Sequence, residues 1–410
     1  MKKLLAVFAV LCLVMSACAT STEPEASEDP KEKADEQYTV FNSFLGQGFF
    51  TKEFAIYHDN HGLLRLFDVA SKTDIVYCFD PGCEHEMEVR SRDGSVLQEG
   101  CSAYKYSSYP VMLKGEECFF FDQGTRNVIR SDRQGGNRKV IGTIPQYLLP
   151  YNVFFSKDSI FVTYVNSYEM IETKDKNGET LWIVGDPKPK NTCGIVMINL
   201  ETGQYRELQE TEEYSAQIIE YDVRGDHLYY QLSYMDIPYI SPNLETADPS
   251  LIPEGMTVEN YWEELQKHGW MDIYDYTIST GDLRMVMQHQ HYDSTVFCKD
   301  FFAVAEGNVT GLYRYSGERF RELDFPMTSG VRSDNGLVCL KGDETVLMDE
   351  NTGEILATSK ISTDVFMAKA ILGNSCYGLC LADNQWVPTY ISAEDFWKGD
   401  VTKVIPFMSK

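Results

Sequence analysis

One phrase recurs seven times along this chain: a short apolar strand, a second strand, and a turn rich in Asp, Thr, Ser and Gly. Alternating strands followed by Gly-bearing turns are hairpin signals. Gly and aromatic residues are plentiful, and long helical periodicity is rare. Four short strands per unit, repeated about seven times, predict an all-β fold of the β-propeller class.

The copies of the second strand are Leu63–Asp68, Val128–Asp132, Gly194–Leu200, Asp272–Ile278, Gly311–Tyr315, Thr345–Asp349 and Pro388–Ile391. The first six precede turns such as Thr202-Gly203, Thr280-Gly281 and Thr352-Gly353, and the last turn diverges. An apolar strand precedes each copy: Phe54–Tyr57, Cys118–Phe121, Ile160–Tyr164, Leu228–Leu232, Phe301–Ala305, Leu337–Leu340 and Cys376–Leu381. The rival architecture is a pair of β-sandwiches. The propeller is preferred because the unit recurs through the whole chain with no linker inside it. Trp-Asp dipeptides, kelch-type paired glycines and sialidase Asp-boxes are missing, so seven blades are preferred over six or eight on the count of copies alone.

The first residues address the compartment. Lys2 and Lys3 make a basic start, Leu4 to Val14 is apolar, and Ser16-Ala17 are small. That order defines a secretory signal peptide over 1–17, too short to span a bilayer. Met15-Ser16-Ala17-Cys18 resembles a bacterial lipobox. The resemblance implies that the Cys18 thiol carries a diacylglycerol and that acyl chains such as palmitate hold the protein to the membrane. Two acyl chains give stable anchoring where one gives marginal binding. Ordinary signal cleavage with a free Cys18 is the alternative. Residues 18–37 read as a lipidated acidic linker, with Glu23, Glu25, Glu28, Asp29, Glu32, Asp35 and Glu36 against Lys31 and Lys33. Such a segment buries too little apolar surface to offset its ordering entropy. Residues 38–410 are then the propeller domain.

The chain has 36 Lys and Arg against 62 Asp and Glu, a net charge of −26, and −28 once Lys2 and Lys3 leave with the signal peptide. That balance excludes nucleic acid and anionic lipid as electrostatic partners. Without Cys12 and Cys18 nine cysteines remain. Cys118, Cys193, Cys298, Cys339, Cys376 and Cys380 sit in apolar strand-like runs and read as small buried hydrophobes. The odd count does not read as a disulfide scaffold, although export permits a bridge.

Three stretches interrupt the repeat: 79–106 after blade 1, 167–191 inside blade 3, and 235–270 inside blade 4. If the strands of a blade run A to D outward, B–C loops and D–A connections open on one face. All three insertions then project from that face, on neighbouring blades, and long loops on a rigid scaffold are where binding resides. The third carries Tyr239, Tyr261, Trp262 and Trp270, with a helix expected over Val258–His268, Thr257 as N-cap and Gly269 after its end. These aromatics either stack on a sugar or protein partner or pin the insertion to the scaffold.

The first insertion reads Cys78-Phe-Asp-Pro-Gly-Cys83-Glu-His85, with Cys101 further on. Three cysteines and a histidine are a complete tetrahedral zinc set. The spacing is not that of a standard finger or ribbon. A disulfide between Cys101 and Cys78 or Cys83 is preferred, a structural zinc comes second, and free thiols are the third reading. The motif, the lipobox and the repeat together resemble uncharacterised lipoproteins of Gram-positive bacteria, in which a Cys–Pro-Gly–Cys–x–His–Cys cluster follows the first blade of a propeller-like domain. That resemblance implies no activity.

His289-Gln290-His291 lies at the blade 4 to blade 5 connection and resembles part of the metal site of seven-bladed oligogalacturonate lyases; a solvated loop is the plainer reading. No nucleophile elbow, P-loop, His-Glu-x-x-His or dinucleotide fingerprint is present, and no residue is singled out as catalytic. The expectation is an extracytoplasmic, membrane-anchored binding module for a ligand, protein or glycan. The alternative is a polysaccharide-active enzyme, such as a metal-dependent lyase, using the same face.

Overall fold

The computed structural model describes residues 39–41 and, with breaks at several turns and within the insertions, 48–407. The chain divides into a unit of residues 1–36 and a unit of residues 37–410. The signal peptide, Cys18 and the whole acidic linker lie outside the described residues.

Seven four-stranded antiparallel units follow one another. Blade 1 comprises Gly48–Phe50, Phe54–His58, Leu64–Asp68 and Thr73–Val76 as strands A to D, with Thr39–Phe41 paired to strand A as a fifth. Blade 2 comprises Val111–Lys114, Glu117–Asp122, Asn127–Asp132 and Lys139–Thr143. Blade 3 comprises Pro150–Ser156, Ser159–Lys174, Thr180–Asn199 and the first half of Tyr205–Arg224. The second half of that strand opens blade 4, followed by His227–Met235, Gly269–Thr277 and Leu283–Gln290. Blade 5 comprises Thr295–Phe297, Phe301–Glu306, Val309–Arg314 and Arg319–Leu323. Blade 6 comprises Met327–Ser333, Leu337–Lys341, Glu344–Met348 and Ile355–Ser359. Blade 7 comprises Phe366–Leu372, Ser375–Ala382, Gln385–Ser392 and Ile405–Pro406. The recurring phrase of the sequence is strand B, strand C and the C–D turn of each blade.

The C–D turns show why their residues recur. The Asp68 carboxylate accepts from the Ser71 amide (2.7 Å) and hydroxyl (2.6 Å). Asn199 accepts from the Thr202 amide (2.8 Å) and hydroxyl (3.0 Å), and Asp349 from the Thr352 amide (2.6 Å). A side chain that binds the backbone three residues on closes a tight turn. Gly203 and Gly353 follow with φ of 69° and 67°, where a Cβ would be strained.

The core lies between blades. One apolar cluster joins blades 1, 2 and 3, and others join 3 to 4, 4 to 5, 5 to 6 and 6 to 7. Middle strands are therefore buried on both faces and read as continuous apolar runs, such as Phe301–Glu306. The last cluster closes the ring: Phe50, Ala55, Tyr57 and Phe67 of blade 1 pack against Leu372, Tyr377, Tyr390 and Phe407 of blade 7. The Tyr377 hydroxyl donates to Thr51 O and the Ser375 hydroxyl to Lys52 O, both at 2.8 Å. Each blade is completed by consecutive strands, so closure rests on side-chain packing and not on strand exchange.

The insertions meet the expectation in position but not all in form. The first contains a small hairpin, Val89–Arg90 with Val96–Gln98. The second is no loop: strands B and C of blade 3 run on as a two-stranded ribbon, with Ile171 opposite Ile183 and Glu172 opposite Trp182. The third carries helix α1 (Val258–Leu265) and a 3-10 turn (Gln266–His268). Thr257 caps α1, its hydroxyl accepting from the Asn260 amide at 3.2 Å.

Candidate metal centre and the elaborated face

Cys78 directly follows the end of blade 1, and Cys83, His85 and Cys101 come from the chain that continues toward blade 2. The Cys101 amide donates to Glu86 O at 2.8 Å, which draws Cys101 to the His85 arm, and the Cys78 amide donates to Val76 O at 2.8 Å in a tight local turn. His85 has φ of 58°, in the left-handed region that non-glycine residues seldom adopt. Its Nδ1 then lies 3.5 Å from Cys101 Sγ. The four ligand atoms of Cys78, Cys83, His85 and Cys101 all fall within 4.8 Å of one another. Among the described residues no other group of three His, Cys, Asp or Glu converges this way.

None of Cys78, Cys83 and Cys101 is in a disulfide, the reading preferred from the sequence. The four ligand atoms lie close enough together that they could hold a metal, as in the four-ligand alternative. With Zn–S of about 2.3 Å and Zn–N of about 2.0–2.1 Å, a tetrahedral site has a sulfur-to-nitrogen edge of about 3.6 Å. Two backbone amides also point at sulfur: His85 N–H at Cys83 Sγ (3.4 Å) and Ala103 N–H at Cys101 Sγ (3.3 Å). Such bonds favour thiolate over thiol. Without a cation the balance runs the other way. Burial, and next to it the Cys83 and Cys78 thiols, push the Cys101 thiol up to about 12, against the Ala103 amide. Cys101 and Ala103 belong to the apolar core of blades 1 to 3, and Cys78 and Cys83 pack against it. A metal here would have four protein ligands and no open position, a structural site.

The aromatic residues of the third insertion serve mainly to hold it down. Tyr261 is buried, its hydroxyl donating to Pro238 O at 2.9 Å, and it packs with Met235, Leu265 and Trp262. Tyr261 is thus withdrawn from the binding face that the sequence assigned to it, while Trp262 and Trp270 are half-buried. The Trp270 indole N–H donates to Asp236 at 3.0 Å, and His268 Nδ1 lies 2.6 Å from the same carboxylate. This Asp236 clamp at the root of the insertion was not singled out from the sequence, because its partners are 32 and 34 residues away. His289 falls on strand D of blade 4, opposite Met271. Tyr239 and His291 lie outside the described residues.

No family model matches the sequence, and no curated protein does. Solved structures do. An oligogalacturonate lyase in complex with manganese is 9% identical, with 88% of this chain and 97% of that chain covered and a TM-score of 0.47. The oligogalacturonate lyase of Vibrio parahaemolyticus is 9% identical over 84% and 93%, with a TM-score of 0.43. Sqt1 of Saccharomyces cerevisiae is 9% identical over 88% and 87%, with a TM-score of 0.41. Likenesses this distant carry no function across, and the fold stands on the seven four-stranded units themselves: the chain is a seven-bladed β-propeller.

Proposed function

We propose that this protein is an extracytoplasmic binding module, held to the membrane by lipid on Cys18, whose elaborated propeller face takes a protein or glycan partner. One observation carries the reading. The B–C extensions of blades 3 and 4 and the connection between blades 1 and 2 open on the same side of the ring. Two of them are braced at their roots, one by the Cys78, Cys83, His85 and Cys101 cluster and one by the Asp236 clamp. A braced, enlarged face on a rigid ring is the usual form of a recognition surface. We take zinc as the metal of the cluster, because three sulfurs and one imidazole suit a borderline-soft ion. It would act as a structural pin.

The test uses the full protein in detergent. Washed cell-envelope glycan and envelope protein are each offered to it, beside a variant whose 240–256 segment is replaced by a short Gly-Ser loop. Retention that the variant loses, at unchanged melting temperature, supports the reading. Retention indifferent to that loop and to trimming of the blade 3 ribbon would overturn it.

A further inference from the structure

Four aspartates are buried among the described residues, and three of them have a cation beside them. Arg65 Nη1 is 3.8 Å from Asp59, Arg224 Nη2 is 2.7 Å from Asp222, and Arg284 Nη2 is 2.9 Å from Asp275. Asp272, 3% exposed, has none. Its carboxylate is hydrogen-bonded only by neutral groups, the Tyr274 hydroxyl at 3.2 Å from Oδ2 with Tyr234 and Gln288 beside it, and its buried Oδ1 is left without a partner. A lone carboxylate taken out of water costs several kcal/mol unless a cation or a proton joins it.

The register of blade 4 shows what surrounds it. Asp272 pairs with Leu232 on one side and Gln288 on the other. Tyr230, paired with Tyr274, and Tyr234, paired with Trp270, are its diagonal neighbours. Residues two apart on a strand share a face, as do directly paired ones, so the apolar Leu232 and the side chains of Tyr230, Tyr234, Tyr274, Trp270 and Gln288 surround the carboxylate on one face. Tyr230 is 1% exposed, and its hydroxyl is a second buried group with no partner. The wall toward solvent is more open, with Tyr234, Tyr274 and Trp270 half-buried and Gln288 exposed. Tyr230 and Leu232 belong to the core between blades 3 and 4, while Trp270 and Tyr234 stand one residue pair from the root of the third insertion, at the end of this face nearest the elaborated side.

We propose that this ring of aromatic residues around Asp272 receives a primary ammonium group on an aliphatic stem. The inference rests on the reading of the protein as a binding module and names the chemistry of its ligand. An ammonium supplies the missing charge and donates to Asp272 Oδ1 and the Tyr230 oxygen. Its stem and charge lie against tyrosine and tryptophan faces, which attract cations. A hard metal ion fits less well, because it takes six or more oxygen ligands and usually several carboxylates. The same group is carried by a free alkylamine and by a lysine side chain.

Calorimetric titration of the full protein in detergent distinguishes these sources. One arm uses n-butylammonium chloride, the other a short peptide with one lysine, and sodium chloride is the control. Saturable binding is expected in at least one arm, weakened at least tenfold by Asp272→Asn and about threefold by Tyr230→Phe. Tighter binding of the peptide assigns a protein partner, and equal or tighter binding of the amine assigns a small ligand. No saturable binding in either arm, or binding unmoved by Tyr230→Phe and Asp272→Asn, overturns the proposal. Should Asp272→Asn fail to fold, Tyr230→Phe alone decides. Envelope retention with no amine binding would sink this inference and leave the binding module standing.

Discussion

Phe407 lies flat on Phe67, with ring centroids 4.3 Å apart and planes at 25°, which places a residue from the end of the described chain against the third strand of the first blade. Tyr57 flanks it at 4.8 Å, and Phe407 is 1% exposed. Because no strand is exchanged across this seam, the ring depends on such contacts. Phe407→Ala is expected to lower stability by about 3–5 kcal/mol, the usual cost of emptying a buried aromatic site. Deleting 400–407 should do more and shift one cooperative transition by calorimetry. Two separate transitions, with one unmoved, would mean the blades melt independently.

The cluster at Cys78, Cys83, His85 and Cys101 is expected to bring about one zinc per chain through purification without added metal, by elemental analysis. A strong chelator should then lower the melting temperature, and a reductant alone should not. His85→Ala should lose the metal. If reductant destabilises and chelator does not, a disulfide holds the insertion. In that case His85→Ala should cost under about 0.5 kcal/mol, as ordinary surface changes do.

Lys369 sits at a bulge in strand A of blade 7, where the register shifts between Ala368 and Ala370. Burial alone holds its ammonium below the ordinary lysine range. The folded state therefore binds fewer protons than the unfolded chain. Stability is full above about pH 10.4, where both forms are neutral, and declines as pH falls toward the folded value. Lys369→Met should stabilise the protein at pH 7, with the gain vanishing above about pH 10.4 in parallel melts. A gain that grows with pH would reverse this assignment.

Gly194 stands beneath the Tyr164 side chain. A Cβ there would lie 2.5 Å from the Tyr164 hydroxyl and 2.2 Å from Gln209 O. The phenol crosses it to donate toward Glu207 at 2.7 Å, and it also lies 3.0 Å from Glu210. Gly194→Ala is expected to cost about 1–3 kcal/mol, as overpacking does. Adding Tyr164→Phe should restore little, because the backbone clash with Gln209 stays. Urea melts of the two variants check both statements.

Anchoring has its own test. Wild-type protein should enter a detergent phase, and Cys18→Ala should be released or persist as uncleaved precursor. A processed Cys18→Ala protein that stays in the membrane fraction would end the lipoprotein reading.

Strands B and C were legible because each carries buried apolar residues and strand C runs into a side-chain-closed turn, as at Asn199 and Asp349. Short outer strands carried little signal; Ile405–Pro406 has two residues. The ribbon in blade 3 read as a loop because both its faces meet water, with Ile171, Ile183 and Val184 all exposed. The members of the cysteine–histidine cluster could be named from the sequence, but whether they meet as ligands or as a bridge depends on a backbone turn at His85. Asp272 stood in plain view as an acid in an apolar strand. Its want of a counter-charge could not be seen, because the arginines that neutralise the other buried aspartates Asp59 and Asp275 come from neighbouring strand positions fixed only by register.

The strand Tyr205–Arg224 leaves blade 3 and enters blade 4 without a loop, bending at Ser215, where φ is 52°. Blades 6 and 7 are also joined, by parallel pairing of Arg332 with Ala370 and Ser333 with Ile371; between blades 3 and 4 the joint is a single pleated strand bonded along both halves. The blade 3 ribbon and the blade 4 insertion are therefore mounted on one lever. A partner that pulls on either would transmit its force to the other, and single-molecule extension should find blades 3 and 4 releasing together.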